Sequence, residues 1–261
     1  MRKNKFRELL NAGKPTLGTH IHSTWPSLFE VVGHSGMFDY VEFVGEYGPF
    51  DLHDLDNIVR ACELHDLSSM IKVDQANNTY VAQRAIGSGF QSILFTDSRT
   101  VEDARECVKA ARPDTPESGG SFGAVTRRFT YMGYGGDQDY IDALNDIVVV
   151  LMIEKGPAVE NLEEILSVGG IDMIQWGPSD YSMSIGRIGQ GQSPEVKEIE
   201  KKVLLKSIEM GIPPRAEINS ADQAKYYLDL GVRHFCIGTD IHIIYDYMKS
   251  EGGALRKALE G

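Results

Sequence analysis

The amino-acid sequence predicts an α/β protein, a (β/α)8 TIM barrel with an N-terminal capping helix, on three observations. Short apolar or β-branched runs alternate with helix-length segments whose apolar residues recur at spacings of three and four. The runs number eight, and eight strands joined by crossover helices make a parallel sheet that can close on itself. Polar residues stand at the carboxyl end of nearly every run, as a barrel requires, and no GxGxxG or GxxxxGKS/T motif follows the first strand as in a doubly wound nucleotide-binding sheet. With 261 residues, 42% of them hydrophobic, the chain is long enough for one such domain over residues 1–261.

In order along the chain, Phe6, Leu9 and Leu10 mark an opening amphipathic helix. The predicted strands are 16–22 (TLGTHIH), 40–44 (YVEFV), 69–73 (SMIKV), 92–96 (SILFT), 147–154 (IVVVLMIE), 173–177 (MIQWG), 214–218 (PRAEI) and 235–239 (FCIGT). Between them lie helical segments at 27–35, 52–65, 79–88, 100–111, 158–168, 194–210 and 220–231, with a closing helix at 243–260. Thr100 with Asp103, and Ser220 before Ala221 and Asp222, supply helix-start chemistry. The longest interruption, roughly 112–146, exceeds an ordinary connection and predicts an active-site loop.

Composition removes several function classes. A formal net charge of −12 argues against a nucleic-acid partner, which usually needs a basic face. No apolar run approaches the roughly 18 residues of a membrane span, and the opening MRKNKFRELLNAGK lacks a signal-peptide core, so a cytoplasmic protein with no membrane partner is expected. Cys62, Cys107 and Cys236 are odd in number and form no CxxC pair, which points to buried thiols rather than a disulfide framework or zinc site.

The polar residues at strand ends are the candidate chemistry: His20 and His22, Glu46 and Tyr47, Lys72, Asp97, Glu154, Asp180, Arg215 and Glu217, and Asp240. Glu154 ends the most hydrophobic strand, where an unbalanced carboxylate is strongly disfavoured. Asp180 follows the turn Gly177-Pro178-Ser179 on the next strand, about 5 Å away in the sheet direction. Two hard oxygen ligands with the remaining shell left open suit Mg²⁺ or Mn²⁺. The alternative is that Asp180 caps a helical turn at Tyr181 and Ser182 while Glu154 pairs with Lys155 or Arg128.

The segments 38–51 (FDYVEFVGEYGPFD), 148–166 (VVVLMIEKGPAVENLEEIL), 171–186 (IDMIQWGPSDYSMSIG) and 230–240 (LGVRHFCIGTD) resemble the HpcH/HpaI aldolase family in order and spacing along nearly the whole chain. That resemblance implies a phosphoenolpyruvate/pyruvate-type barrel and a class II aldolase, with Glu154 and Asp180 as ligands of Mg²⁺ or Mn²⁺, Co²⁺ and Zn²⁺ being further options. It also implies that pyruvate chelates the metal, that the metal stabilises the enolate, and that backbone N–H groups around Gly177, Pro178, Ser179 and Asp180 hold the substrate carboxylate. Two departures stand out: the family's G-E-H reads Gly45-Glu46-Tyr47, and Lys72 replaces an arginine that polarises the keto oxygen.

His20 and His22 offer a replacement base, or are merely hydrogen-bonding residues of the barrel mouth, and Tyr47 is a proton donor only if a cation lowers its pKa. Arg215 and Glu217 share one side of strand seven, as an internal salt bridge or as a reader of a polar or acidic second substrate. Gly119, Gly120, Ser121 and Gly123 resemble the family's glycine-containing loop over the site, with Arg127 and Arg128 as surface residues or carboxylate contacts. The expected function is a carbon–carbon lyase joining or splitting a 2-oxo acid and an aldehyde. An acyl-CoA lyase or condensing enzyme of the same architecture, or a non-catalytic oxo-acid-binding protein, are the alternatives. The apolar residues of the closing helix predict a homo-oligomer, a hexamer or dimer-based assembly.

Overall fold

The structure, a computed structural model describing residues 2–124 and 137–261, is a closed barrel in which β1 to β8 pair in chain order and return to β1. The strands are β1 (Thr16–Ile21), β2 (Tyr40–Val44), β3 (Ser68–Val73), β4 (Ser92–Phe95), β5 (Val148–Ile153), β6 (Met173–Trp176), β7 (Pro214–Ile218) and β8 (His234–Thr239). All neighbours are parallel. The helices are α1 (Lys5–Asn11), α2 (Pro26–Ser35), α3 (Leu52–Leu64), α4 (Asn78–Ser88), α5 (Val101–Ala111), α6 (Gln138–Asn145), α7 (Gly156–Glu160), α8 (Leu162–Leu166), α9 (Pro178–Ser184), α10 (Pro194–Glu209), α11 (Ala224–Asp229) and α12 (Asp240–Glu260).

The alternation of strand side chains divides the core in two. Val41, Phe43, Ile71, Val73, Val149, Leu151 and Ile153 point outward into the helices. Tyr40, Met70, Leu94, Val148, Val150, Met152 and Met173 point to the barrel axis. The amino-terminal end of that inner core is plugged by α1, whose Phe6 is fully buried and stacks on Tyr40 with ring centroids 4.4 Å apart. Asn4 holds the plug in place, its side-chain amide donating to the carbonyls of Gln91 and Asp146 at 2.8 Å each. Glycine at 18 is required there, because a Cβ would lie 2.3 Å from the Tyr40 ring.

Three expected elements differ. The helix predicted at 158–168 is broken into α7 and α8 at Asn161, whose side-chain amide donates to the Pro157 carbonyl at 2.9 Å and competes with helix continuation. The segment 220–231 starts as a 3-10 turn, closed by a Ser220–Gln223 capping box, before becoming α11. The long connection after α5 is not placed over the carboxyl ends of the strands as far as Ala124. It leaves the amino-terminal face, where α5 must end, and folds back on it: Ser121 N–H donates to the Lys109 carbonyl at 2.9 Å, and Arg112 donates to the Ile147 carbonyl at 2.6 Å. Gly119, Gly120, Ser121 and Gly123 therefore lie away from the strand ends that carry the site, while Arg127 and Arg128 lie outside the described residues.

Replacing Phe6 with alanine opens a cavity beneath the inner core and is expected to lower stability by about 3–5 kcal/mol, measured by urea denaturation.

Candidate active site

Glu154 follows the last residue of β5 and is 3% exposed. Its Oε1 accepts the backbone N–H of Asp97 at 2.8 Å, and its Oε2 faces Gly177, where an added Cβ would lie 2.5 Å away. Asp97 adopts a left-handed φ of 58°, an uncommon conformation for a non-glycine residue that turns its N–H onto Glu154. Burial pushes the Glu154 carboxyl up to about 7, assisted by the charges of Asp180 and Asp97 and opposed by the Asp97 N–H and Lys72. The Glu154–Lys155 pair is not formed, since Lys155 pairs with Asp180 at 2.8 Å and with Asp97 at 2.5 Å, and Asp180 sits in the first turn of α9 without a side-chain capping bond; Arg128 lies outside the described residues.

Opposite them, Lys72 near the end of β3 donates to the Glu46 carboxylate at 2.6 Å and to the Tyr47 hydroxyl at 3.4 Å. The two residues that depart from the family pattern thus touch each other. Burial lowers the affinity of Lys72 for its proton, but Tyr47, Glu46 and Glu154 outweigh this and hold it charged. Burial of the Tyr47 hydroxyl pushes it up to about 12 despite Lys72, so the phenol is a proton holder at neutral pH.

One layer below, a polar ring crosses the barrel. Arg215 is fully buried and donates to Glu42, to Gln175 at 2.6 Å and to Tyr40 at 3.3 Å. Gln175 in turn donates to Glu217 at 2.9 Å. His20 closes the ring, with Nε2 3.5 Å from Glu42 and Nδ1 3.6 Å from Glu217. Burial opposes its protonation, but Cys236, Glu42 and Glu217 together raise its pKa well above the ordinary value. Of the two readings of Arg215 and Glu217, the internal salt bridge between them is not formed: Glu42 takes the guanidinium, and Glu217 is reached through Gln175.

A cavity of about 320 Å³ lies between these layers. It brings together Tyr47, Lys72, Glu154, Gly177, Pro178, Ser179, Asp180 and Arg215, whereas His20 and Glu46 stand behind its lining. Sequence reasoning missed Lys155 as the bridge between Asp97 and Asp180, and Glu42 as the partner of Arg215. Glu42 carried a readable signal, a lone carboxylate in the strand YVEFV. Lys197, Glu200 and Tyr227, also on the cavity wall, sit on helices and carried none.

Glu154 and Asp180 fit a divalent cation. Both border the cavity, and among the described residues Glu154 has no ion-pairing lysine or arginine, so a cation would offset the burial that now favours its protonated form. His20, Glu42 and Cys236 also lie close, their ligand atoms within 4.8 Å of one another, but Glu42 is already held by Arg215.

The family model described as HpcH/HpaI aldolase/citrate lyase matches residues 17–244. The chain belongs to the HpcH/HpaI aldolase/citrate lyase family. It is 27% identical over 243 residues to the 4-hydroxy-2-oxo-heptane-1,7-dioate aldolase of Escherichia coli, covering 93% of this chain and 91% of that one. A solved HpcH/HpaI family protein from Burkholderia cenocepacia superposes with a TM-score of 0.87 at 23% identity, covering 97% of this chain and 100% of that one. The citrate synthase SbnG superposes with a TM-score of 0.85 at 21% identity, covering 99% and 100%. Among the described residues, no helix of this family member is long and apolar enough to cross a membrane.

The raised Glu154 pKa gives a signed pH dependence. The folded state holds this proton more tightly than the unfolded chain, so metal-free stability falls as pH rises from about 4.5 to about 7, then stays low. Glu154→Gln is expected to be more stable than the parent by about 3 kcal/mol at pH 8, and equal to it below pH 4.5, in metal-free urea titrations.

Proposed function

We propose that this family member is a class II, divalent-metal-dependent carbon–carbon lyase that forms or cleaves a 4-hydroxy-2-oxo acid from pyruvate, or a similar 2-oxo acid, and an aldehyde. The observation that carries the reading is the pair of carboxylates, Glu154 and Asp180, on one cavity wall with the charged Lys72 facing the same space. Those carboxylates would hold Mg²⁺ or Mn²⁺, with Co²⁺ or Zn²⁺ as substitutes, and the cation supplies positive charge to the oxygens of a 2-oxo acid.

The chain's own groups do the rest. Ser179 and Asp180 present first-turn N–H groups of α9 to the substrate carboxylate. Lys72, fixed by Glu46 and Tyr47, adds positive charge at the oxygen that becomes negative when the methyl carbon loses its proton. It does so as a point charge, without the fork an arginine would bring. The Tyr47 hydroxyl, still protonated at neutral pH, is placed to return a proton to the aldehyde-derived oxygen. Arg215 forms the floor of the substrate pocket with its charge already balanced by Glu42, and His20 beneath it holds a proton between two carboxylates.

A homo-oligomer accompanies this reading. On α12 only Asp240 is buried, and Ile243, Ile244, Tyr247, Met248, Leu255 and Leu259 are exposed. That much apolar surface on one 21-residue helix is unusual for an isolated chain, and a second copy would cover it. Light scattering should give a mass above that of one chain; a monodisperse monomer overturns this part.

The activity test is loss of the pyruvate methyl signal in D₂O, followed by NMR on stripped protein with and without Mn²⁺ or Mg²⁺. Exchange should require the metal and fall by at least about 100-fold in Glu154→Ala. Exchange that is indifferent to metal, or that survives Glu154→Ala, is incompatible with the proposal.

A further inference from the structure

The cavity is not confined to the mouth of the barrel. Arg215, Ala216 and Glu217, consecutive on β7, all border it. Successive strand side chains point to opposite faces: Arg215 points inward to Glu42, while Ala216 packs in the outer core. The space also reaches Lys72 and Met152 inside the barrel, and Leu204 and Tyr227 from the helices outside it. It therefore borders both faces of β7. On one side of that strand is the seam between β6 and β7, where pairing is limited to Ile174 with Pro214 and Gln175 with Arg215.

We propose that the chamber beyond this seam binds the distal end of the aldehyde, and that it takes a neutral, hydroxylated chain in preference to an acidic one. The inference rests on the aldolase reading above and deepens it. Among the described residues, each lysine or arginine lining the cavity is already paired. Arg215 is held by Glu42, Lys72 by Glu46 at 2.6 Å, and Lys197 by Glu200 at 2.7 Å. Tyr227 further fixes Glu200 through a 2.8 Å hydrogen bond.

On the acidic side, one carboxylate stays reachable. Glu217, at the seam and with its side chain 47% exposed, has the Gln175 amide at 2.9 Å and His20 at 3.6 Å, with no lysine or arginine partner among the described residues. A carboxylate entering the chamber would pass Glu217 and meet Glu200, gaining no cation in exchange for its hydration. Hydroxyl groups, by contrast, can donate to Glu217 and bond with the amides of Asn219 and Gln192 on the chamber wall.

The test uses the Mn²⁺-loaded full chain with pyruvate and three aldehydes: glycolaldehyde, the four-carbon sugar erythrose, and the four-carbon acid succinic semialdehyde. Erythrose should exceed the semialdehyde in kcat/KM by at least about tenfold. Asn219 is exposed, so Asn219→Trp should fold while narrowing the chamber, and it should shift the erythrose-to-glycolaldehyde ratio at least about fivefold toward the shorter substrate. Equal or better use of the semialdehyde, or an unchanged ratio in the variant, overturns the assignment. Pyruvate proton exchange in the same samples separates the two levels. Exchange with the wrong selectivity overturns the chamber alone, whereas no exchange overturns the aldolase reading and the chamber with it.

Discussion

The ion pair between Arg215 and Glu42 is the constraint around which the barrel is organised. Both side chains are essentially inaccessible, at 0% and 1% exposure, and a buried charge with no partner would be intolerable in a fold whose net stability is only several kcal/mol. Satisfying the guanidinium fully then recruits Gln175 and Tyr40, which ties β7 to both β6 and β2. Glu42 and Glu217 flank His20, which brings in β1. A charged group near the chain's carboxyl-terminal third is thereby neutralised by one near its amino terminus, and barrel closure is the geometry that allows it.

The same accounting governs the layer above. Lys72 and Lys155 are each committed to carboxylates, and Lys155 to two of them. Glu154 is the exception: its strongest contact is a backbone N–H from Asp97, a residue held at an unfavourable positive φ. Strain at Asp97 and desolvation at Glu154 are thus stored at one point on the cavity wall, where a cation would relieve the second.

Much of this was legible in the sequence, because barrel strands announce themselves by alternation and carry their chemistry at one end. The eight predicted strands match those observed to within a residue at either boundary. Glu154 and Asp180 follow the adjacent strands β5 and β6 and border the same cavity. What was not legible depends on distance in three dimensions. Arg215 and Glu217 look like partners because they are two residues apart, yet Glu42, 173 residues away, takes the guanidinium. Lys155 follows Glu154 directly, but the turn out of β5 sends its side chain to Asp97 and Asp180. The first part of the loop after α5, as far as Ala124, was misplaced because its length suggested function, whereas chain direction sends it to the amino-terminal face.

The close approach of Gly177 to Glu154 has a consequence for how such a site can change over generations. With 2.5 Å between an imagined Cβ at 177 and the carboxylate oxygen, the two positions are not free to drift independently. Because the Glu154 Cβ would also lie 2.6 Å away, shortening residue 154 does not make room, and a side chain at 177 requires the ends of β5 and β6 to move apart. A differently shaped floor would therefore have to be reached through backbone rearrangement at both strand ends rather than through a single change of side chain.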